Sequence, residues 1–348
     1  MPLIWQFMQK SLALMRSEQG SLSVLFAVAG IALMGMMAVT VDVGLAYATR
    51  AKLQVAADAA ALAGVPSLPG NPVGAVNTAR SYAMLNGVNP EQISVEVSPD
   101  HRRLIVTVTN EVNFFFGSFV GMAEGEIVAR AEALIGSVGQ LSGGAVPVGV
   151  LEQPQGFDFG REYLLKAGAG GDGGKGKDNG KDDGRGGGRQ PPEPSSLFGQ
   201  GNYGALDLDG RQGGGANDYR NRLRDGYEGT LEIGDIIPTE RGNMAGPTRD
   251  GINARIARCT VPGCSFDRFN SPDAPLCPHV VFVPVYQETS DKNFVRIVGF
   301  AAFYISRVVE KGGQEAEIRG YFIRTITPQG TIGEGQEEFG LMAVMLAN

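Results

Sequence analysis

Cysteine, histidine and tryptophan are scarce in this chain, at three, two and one residue of 348. Three cysteines exclude a small disulfide-dense scaffold. Two histidines leave few candidates for metal binding or acid–base work. Positive charge is also short: 30 Lys and Arg against 37 Asp and Glu give a net charge of -7. A nucleic-acid reader concentrates basic residues on one face, so nucleic acid is not an expected partner. The most telling gap is local. No charge occurs from Ser21 to Val41, and no proline from Leu3 to Val65.

That gap defines an uncharged run of twenty-one residues between Gly20 and Asp42. A helix rising 1.5 Å per residue needs about 20 apolar residues to cross a hydrocarbon core of ~30 Å. A cleaved signal peptide has a shorter apolar core, of about 7–15 residues, and a small-x-small end. Here the apolar content persists to Asp42, and the helical pattern continues through Tyr47–Arg50, so a retained anchor is expected. Residues 1–20 form a tail in which Trp5 and Phe7 suit a membrane interface. Lys10 and Arg16 before the span balance Arg50 and Lys52 after it. The positive-inside rule therefore returns a tie on orientation.

After the span the helix becomes Ala-rich. Leu45, Leu53, Ala56 and Ala60, with Ala57 and Ala61, make a small-residue stripe. Such a stripe lets helices approach closely, and it is the candidate helix-packing face. The same stripe suits packing on the protein's own domain. Three ordered motifs frame this region: Glu18-Gln19-Gly20-Ser21, Val41-Asp42-Val43-Gly44, and Leu53-Gln54-x-Ala56-Ala57-Asp58-Ala59-Ala60-Ala61-Leu62. Together they resemble the N-terminal region of the TadG-like proteins of Flp/Tad (tight adherence) pilus assembly. The resemblance implies a single-pass protein with a cytoplasmic N-terminus and its bulk outside the cytoplasm. It also implies partners among the pilus assembly proteins or pilins, besides the lipid bilayer. One departure matters. Type IV pilin-like leaders carry a Glu five residues after the cleavage-site Gly, whereas Gly20 is followed at that distance by Leu25. Prepilin-type processing is not expected.

The expected architecture is α+β: residues 21–66 as transmembrane and extended helix, 67–137 as a small α+β unit, and 138–348 as a β-rich barrel or sandwich-like domain. Ala75, Ala79 and Ala83 at helical spacing, then Asn86-Gly87, predict a helix with its stop. Ile93–Val97 and Leu104–Thr109 alternate as strands about a Pro99–Arg102 turn, and Ile127–Leu134 reads as another. The Phe114–Phe119 cluster is expected in the core rather than as a partner or membrane-grazing patch. The Gly-rich stretch 136–150 marks the expected domain boundary. Further strands are expected at 157–166, 203–208, 230–237, 279–286, 294–305, 318–326 and 339–346. A Gly- and charge-rich insertion at about 168–196 has no apolar residue to bury, and is expected to be disordered.

Chemistry-bearing residues are few. Cys259, Cys264 and Cys277 are disulfide candidates, and with His279 they also form an acceptable zinc set. No catalytic, cofactor or metal residue is assigned. Gly242–Gly246 before a helix lacks the Gly-Lys-Ser/Thr of a phosphate loop, and Arg241, Arg249, Arg255 and Arg258 are expected on a solvated face. The sequence reads as a non-enzymatic, membrane-anchored component of Tad-type pilus assembly. The rivals are a tethered envelope enzyme or zinc-stabilised binding domain, and a minor pilin-like filament subunit.

Overall fold

The computed structural model describes residues 18–166, 195–196, 204–210, 215–240, 244–269, 277–291, 293–311, 315–333 and 337–347. Most of the N-terminal tail lies outside the described residues. So does the Gly-rich insertion, apart from Ser195 and Ser196, together with Arg241 and Gly242. The chain divides into two compact units. Met1–Ala60, Arg80–Val95 and Ile105–Ala131 form one, and Ala61–Ala79, Glu96–Leu104 and Glu132–Asn348 form the other.

Helix α1 spans Glu18–Gly64 without a break. Nothing in its sequence interrupts it, because no proline occurs between Leu3 and Val65, and Gly30, Gly35 and Gly44 face open space. Its most apolar window is 0 % buried within the chain. The buried residues begin at Asp42 and then recur at Leu53, Ala56, Ala57, Ala60 and Ala61. After a 3-10 turn at Val65–Ser67 comes helix α2, Pro72–Leu85. It ends as expected. Gly87 adopts φ +85°, its N–H reaches the Met84 carbonyl, and the Val88 N–H reaches that of Ala83. These are the paired bonds of a Schellman stop. Ala75, Ala79 and Ala83 are fully buried.

Strands β1 (Ile93–Val97), β2 (Arg103–Asn113) and β3 (Glu124–Ser142) follow. In β2, Leu104, Val106 and Val108 are 0 % exposed and alternate with more exposed residues, the pattern of a one-sided sheet. The residue junction 137–138 falls inside the continuous strand β3, where Gly136 lies against Ile332 and Gly139 against Gly333. Those glycines serve close packing within a strand rather than a loop.

The remaining strands are β4 (Val150–Leu151), β5 (Glu162–Lys166), β6 (Ser195–Ser196), β7 (Thr230–Glu232), β8 (Ile236–Pro238), β9 (Val280–Glu288), β10 (Phe294–Lys311), β11 (Glu315–Ile323), β12 (Thr325–Ile326), β13 (Gly330–Ile332) and β14 (Leu341–Ala347). Between them lie α3 (Gly215–Asp225), α4 (Ala245–Ile256) and the short α5 (Phe266–Phe269). One sheet has the order β1-β2-β3-β14-β12, with β7 and β13 also on β3; the other runs β4-β9-β10-β11-β5-β6, with β8 on β10.

The second sheet explains the near-continuous apolar runs of β9 and β10. Val280, Phe282, Tyr286, Phe300, Ala302 and Tyr304 enter a core with Val138, Leu141, Leu341 and Ala343. The alternate residues, Val281, Val283, Val285, Ala301, Phe303 and Ile305, enter a second core with Tyr219 and Leu223 of α3 and Ile252 of α4. Both faces of the sheet are therefore covered, so alternation disappears from its sequence. The two helices meet closely at Gly251, where an added Cβ would lie 2.8 Å from the Arg220 carbonyl oxygen.

Several expected elements differ. The single strand expected over 230–237 is two short ones, broken by a turn in which Gly234 takes φ +100° and Asp235 accepts from the Glu232 N–H. The strand expected at 203–208 contributes only isolated bridges at Ala205 and Leu206. Phe157 is buried in the loop before β5, stacked on Phe322 at 3.9 Å.

The helix end supplies a stability test. A Cβ on Gly64 would lie 2.5 Å from Leu104 Cδ2, 2.7 Å from the Ala75 carbonyl oxygen and 3.0 Å from Ala79 Cβ. Gly64→Ala is expected to destabilise the full chain by about 1–3 kcal/mol, the usual range for overpacking, read as a lower thermal midpoint.

Candidate functional site

The first candidate centre is built on Asp42, the acid that ends the uncharged run. Its carboxylate is buried and accepts three backbone hydrogen bonds from the β2–β3 connection: Phe115 N–H to Oδ1 at 2.9 Å, Phe116 N–H to Oδ2 at 3.0 Å, and Gly117 N–H to Oδ2 at 2.7 Å. A charged acceptor bound by several amides makes strong, short bonds. The rest of the connection closes on itself, with the Phe114 N–H on the Ala123 carbonyl and the Met122 N–H on that of Gly117. Gly121 supplies the left-handed φ of +82° that this turn requires. The expectation of a buried Phe cluster is overturned at Phe115 and Phe116, which are 69 % and 43 % exposed, while Phe114 is half-buried and the Phe119 side chain lies outside the described residues. The reason is reach. The amides of Phe115, Phe116 and Gly117, not the rings, are what Asp42 of the helix holds.

The small-residue stripe has a different fate. Leu53, Ala56 and Ala60 are 7 %, 1 % and 0 % exposed, and Leu45 is half-buried. Gln54 reinforces this side, donating to Asp58 Oδ1 at 2.8 Å and to the Arg130 carbonyl at 3.0 Å. The opposite side of the helix stays uncovered at Val43, Tyr47 and Val55.

In the second unit the three cysteines come together. Cys277 Sγ lies 3.2 Å from Cys259 Sγ and 3.3 Å from Cys264 Sγ, and all three sulfurs fall within 4.8 Å of one another. Cys277 is buried, the other two half-buried. Cys259 sits just past the end of α4, Cys264 in the turn before α5 and Cys277 ahead of β9. Hydrogen bonding from Cys277, with the Val261 amide, lowers the Cys259 thiol below its ordinary range; burial pushes Cys277 up to about 12. Three adjacent thiols can form one disulfide through Cys277, leaving one thiol over, or can hold one soft metal ion.

His279 does not join them. Its Nδ1 lies 2.7 Å from the Ile305 carbonyl oxygen and its ring stacks on Tyr304. The four-ligand set suggested by the spacing is thus not assembled, because strand pairing holds the imidazole to β10. One of the Arg residues is corrected too. Arg255 is not solvated: it donates to the carbonyls of Pro278 at 2.9 Å and Leu223 at 3.1 Å, joining α3, α4 and the approach to β9. Burial lowers its pKa to about 10. Arg249 and Arg258 pair with Asp250 and Asp225.

One cluster escaped the sequence reading. Arg222 of α3 lies 2.5 Å from Asp209 and 3.6 Å from Asp207, both before the helix. Burial, then the shared hydrogen bond with Asp209 and repulsion from it, raises Asp207 to about 6. Burial opposes ionisation of Asp209 as well, but the hydrogen bonds from Asp207 and Arg222 hold it below its ordinary value. An acidic pair one residue apart in Asp207-Leu208-Asp209-Gly210 was the available signal, and nothing in the sequence linked it to Arg222.

Comparison with known proteins bears on the first centre. Residues 20–71 match the family described as putative Flp pilus-assembly TadE/G-like. The N-terminal segment is TadE/G-like. The match takes in the apolar run, Asp42, the small-residue stripe and the turn into α2, and it supports involvement in Flp/Tad pilus assembly. No curated protein and no solved structure matches the chain. The thiol cluster and the Asp207–Arg222 group lie beyond the TadE/G-like segment.

The Asp207 cluster predicts a pH dependence. The folded chain holds this proton more tightly than the unfolded chain, whose carboxyl titrates near the ordinary value of 3.8. Its stabilising contribution is therefore present below about 4 and is lost as pH rises toward about 6. Asp209 acts in the opposite sense, but in more acid solution. Denaturant unfolding at pH 5 and pH 7 should show a loss of stability with rising pH that Asp207→Asn reduces.

Proposed function

We propose that this protein is a membrane-anchored, non-enzymatic component of a Flp/Tad-type pilus assembly apparatus. The observation that carries the reading is the TadE/G-like match over residues 20–71. It is supported by a helix long and apolar enough to cross a bilayer, whose most apolar window has no protein over it. An exposed apolar helix of this length is unfavourable in water and favourable in lipid. In this reading residues 1–20 are cytoplasmic, 21–66 form the anchor and its extension, and 67–137 and 138–348 act outside the cytoplasm through protein contacts.

The side of the helix open to partners is the uncovered one. Leu53, Ala56 and Ala60 are buried within the chain, whereas Tyr47 is 76 % and Val55 63 % exposed. Photo-crosslinkers at Tyr47 and Val55 in native membranes are expected to capture a Tad assembly protein or pilin, and crosslinkers at Ala56 or Ala60 are not. Deletion of the gene should abolish pili and adherence. Normal pili in the deletion strain would end the pilus reading.

For the thiol cluster we propose a disulfide from Cys277 to Cys259 or Cys264. The contact distances of 3.2 and 3.3 Å favour Cys277 as the shared partner. Formation releases two protons and two electrons to a disulfide-bearing oxidant, the chemistry of an oxidising compartment. Chain purified without reductant should carry one alkylatable thiol, and Cys277→Ala should carry two. Stoichiometric zinc with all three thiols unreactive would instead assign a metal staple.

A further inference from the structure

We propose that the β2–β3 tip is a second membrane contact, an apolar wedge that Asp42 holds against the helix so that its side chains enter the outer part of the bilayer beside the span. The proposal rests on the anchoring of α1 proposed above. Three observations lead to it.

The first is placement. Asp42 is the residue that ends the uncharged run, so the three amides bound to it fix the tip at the edge of the span. A groove of about 620 Å³ runs between tip and helix, its walls including Ile31, Gly35 and Val39 on the helix and Phe114, Phe116 and Met122 on the tip. From Ile31 to Asp42 is about 16 Å along the helix axis. The groove thus continues the surface that lipid must cover if α1 spans the membrane, and this continuity commits its occupant to acyl chains.

The second is composition. Residues 112–123 hold no charge, and Glu111 and Glu124 bracket them. Phe115, Phe116 and Met122 are exposed, and Met122 is 64 % so. An uncharged aromatic tip bounded by acidic stems suits insertion that stops where the stems begin.

The third is hydrogen bonding. Irregular backbone exposed to lipid is excluded from the hydrocarbon core, where each unsatisfied polar group is costly. In this proposal only the side chains of the tip therefore enter the outer bilayer, and its amides are paired within the chain. Here Phe115, Phe116 and Gly117 donate to Asp42, Phe114 to Ala123, Gly121 to Ser118 and Met122 to Gly117. Asp42 therefore does two jobs at once. It satisfies the amides of the tip, and the amides satisfy a carboxylate set at the lipid boundary, where an unpaired acid is unfavourable. Thr40 follows the same rule within the helix, donating to the Met36 carbonyl at 2.8 Å.

The test uses fluorescence, because Trp5 is the only tryptophan. The full chain carrying Trp5→Phe and Phe115→Trp is reconstituted alone into phosphatidylcholine vesicles, with and without bromine on the acyl chains. Blue-shifted emission quenched by the brominated lipid is expected. A control carrying Trp5→Phe and Phe26→Trp reports the span. Water-like, unquenched emission from the tip beside a quenched span control would overturn the wedge and leave the anchor standing. If neither probe is quenched, anchor and wedge fall together. Emission from the tip that becomes blue-shifted only when a second membrane protein is added would assign a protein partner and overturn the lipid contact. Adding Asp42→Ala to the tip probe is expected to reduce its quenching while the span control keeps its own.

Discussion

Three backbone N–H groups converge on one carboxylate at the end of an apolar helix, and the surroundings follow from that convergence. A turn built from Phe-Phe-Phe-Gly would be expected to collapse into a core by ring burial alone. Instead the Asp42 carboxylate takes the amides of Phe115, Phe116 and Gly117, and hydrogen bonds to a charged group outweigh neutral ones by about two-fold. The turn is thus oriented by its backbone. The rings of Phe115 and Phe116 are left exposed at the level where the helix ceases to be apolar, next to a helix surface that is itself uncovered. Exposed apolar surface of this kind marks an interaction site, and in the proposed reading its continuity with the apolar helix assigns it to lipid.

The helix beyond Asp42 shows how the same small residues admit two roles and how packing selects between them. Ala56, Ala57, Ala60 and Ala61 permit close approach to any neighbour. In the folded chain they are occupied by the protein itself, at 0–1 % exposure. The extension is therefore a structural element of the folded part, continuous with the apolar segment of the same helix. A partner helix would meet the face carrying Val43, Tyr47 and Val55. Gly64 completes the arrangement, since Leu104, Ala75 and Ala79 all lie within 3.0 Å of where its Cβ would be.

The β-rich part carries its own polar devices, and each is tied to the doubly covered sheet. Arg255 donates to four carbonyls, those of Leu223, Arg224, Pro278 and Val280, where the helices meet the start of β9. Arg222 balances two acids at the other side of α3. The cysteines gather where α4 ends and β9 begins, and His279 turns toward Ile305. These groups resemble staples more than a reaction centre: each ties one segment of the layer to the next.

Much of this was legible in the residues. A twenty-one-residue uncharged run without proline determines a long apolar helix on length and hydropathy alone. The alanine spacing of α2 with its Asn86-Gly87 stop, and the alternation of β1 and β2, likewise depend on local periods that neighbours only reinforce. The ordered motifs around Asp42 carried the TadE/G-like resemblance. What the tertiary structure decided are the relations between distant segments. Asp42 and Phe115 are 73 residues apart, and no period in either stretch records that one carboxylate meets three amides. The exposure of the Phe cluster, the burial of the alanine stripe, the exclusion of His279 from the thiols and the pairing of Arg222 with Asp207 and Asp209 all share that cause. Each depends on which backbone groups remain to be satisfied once the chain has folded, and this is a property of the assembled structure rather than of any one segment.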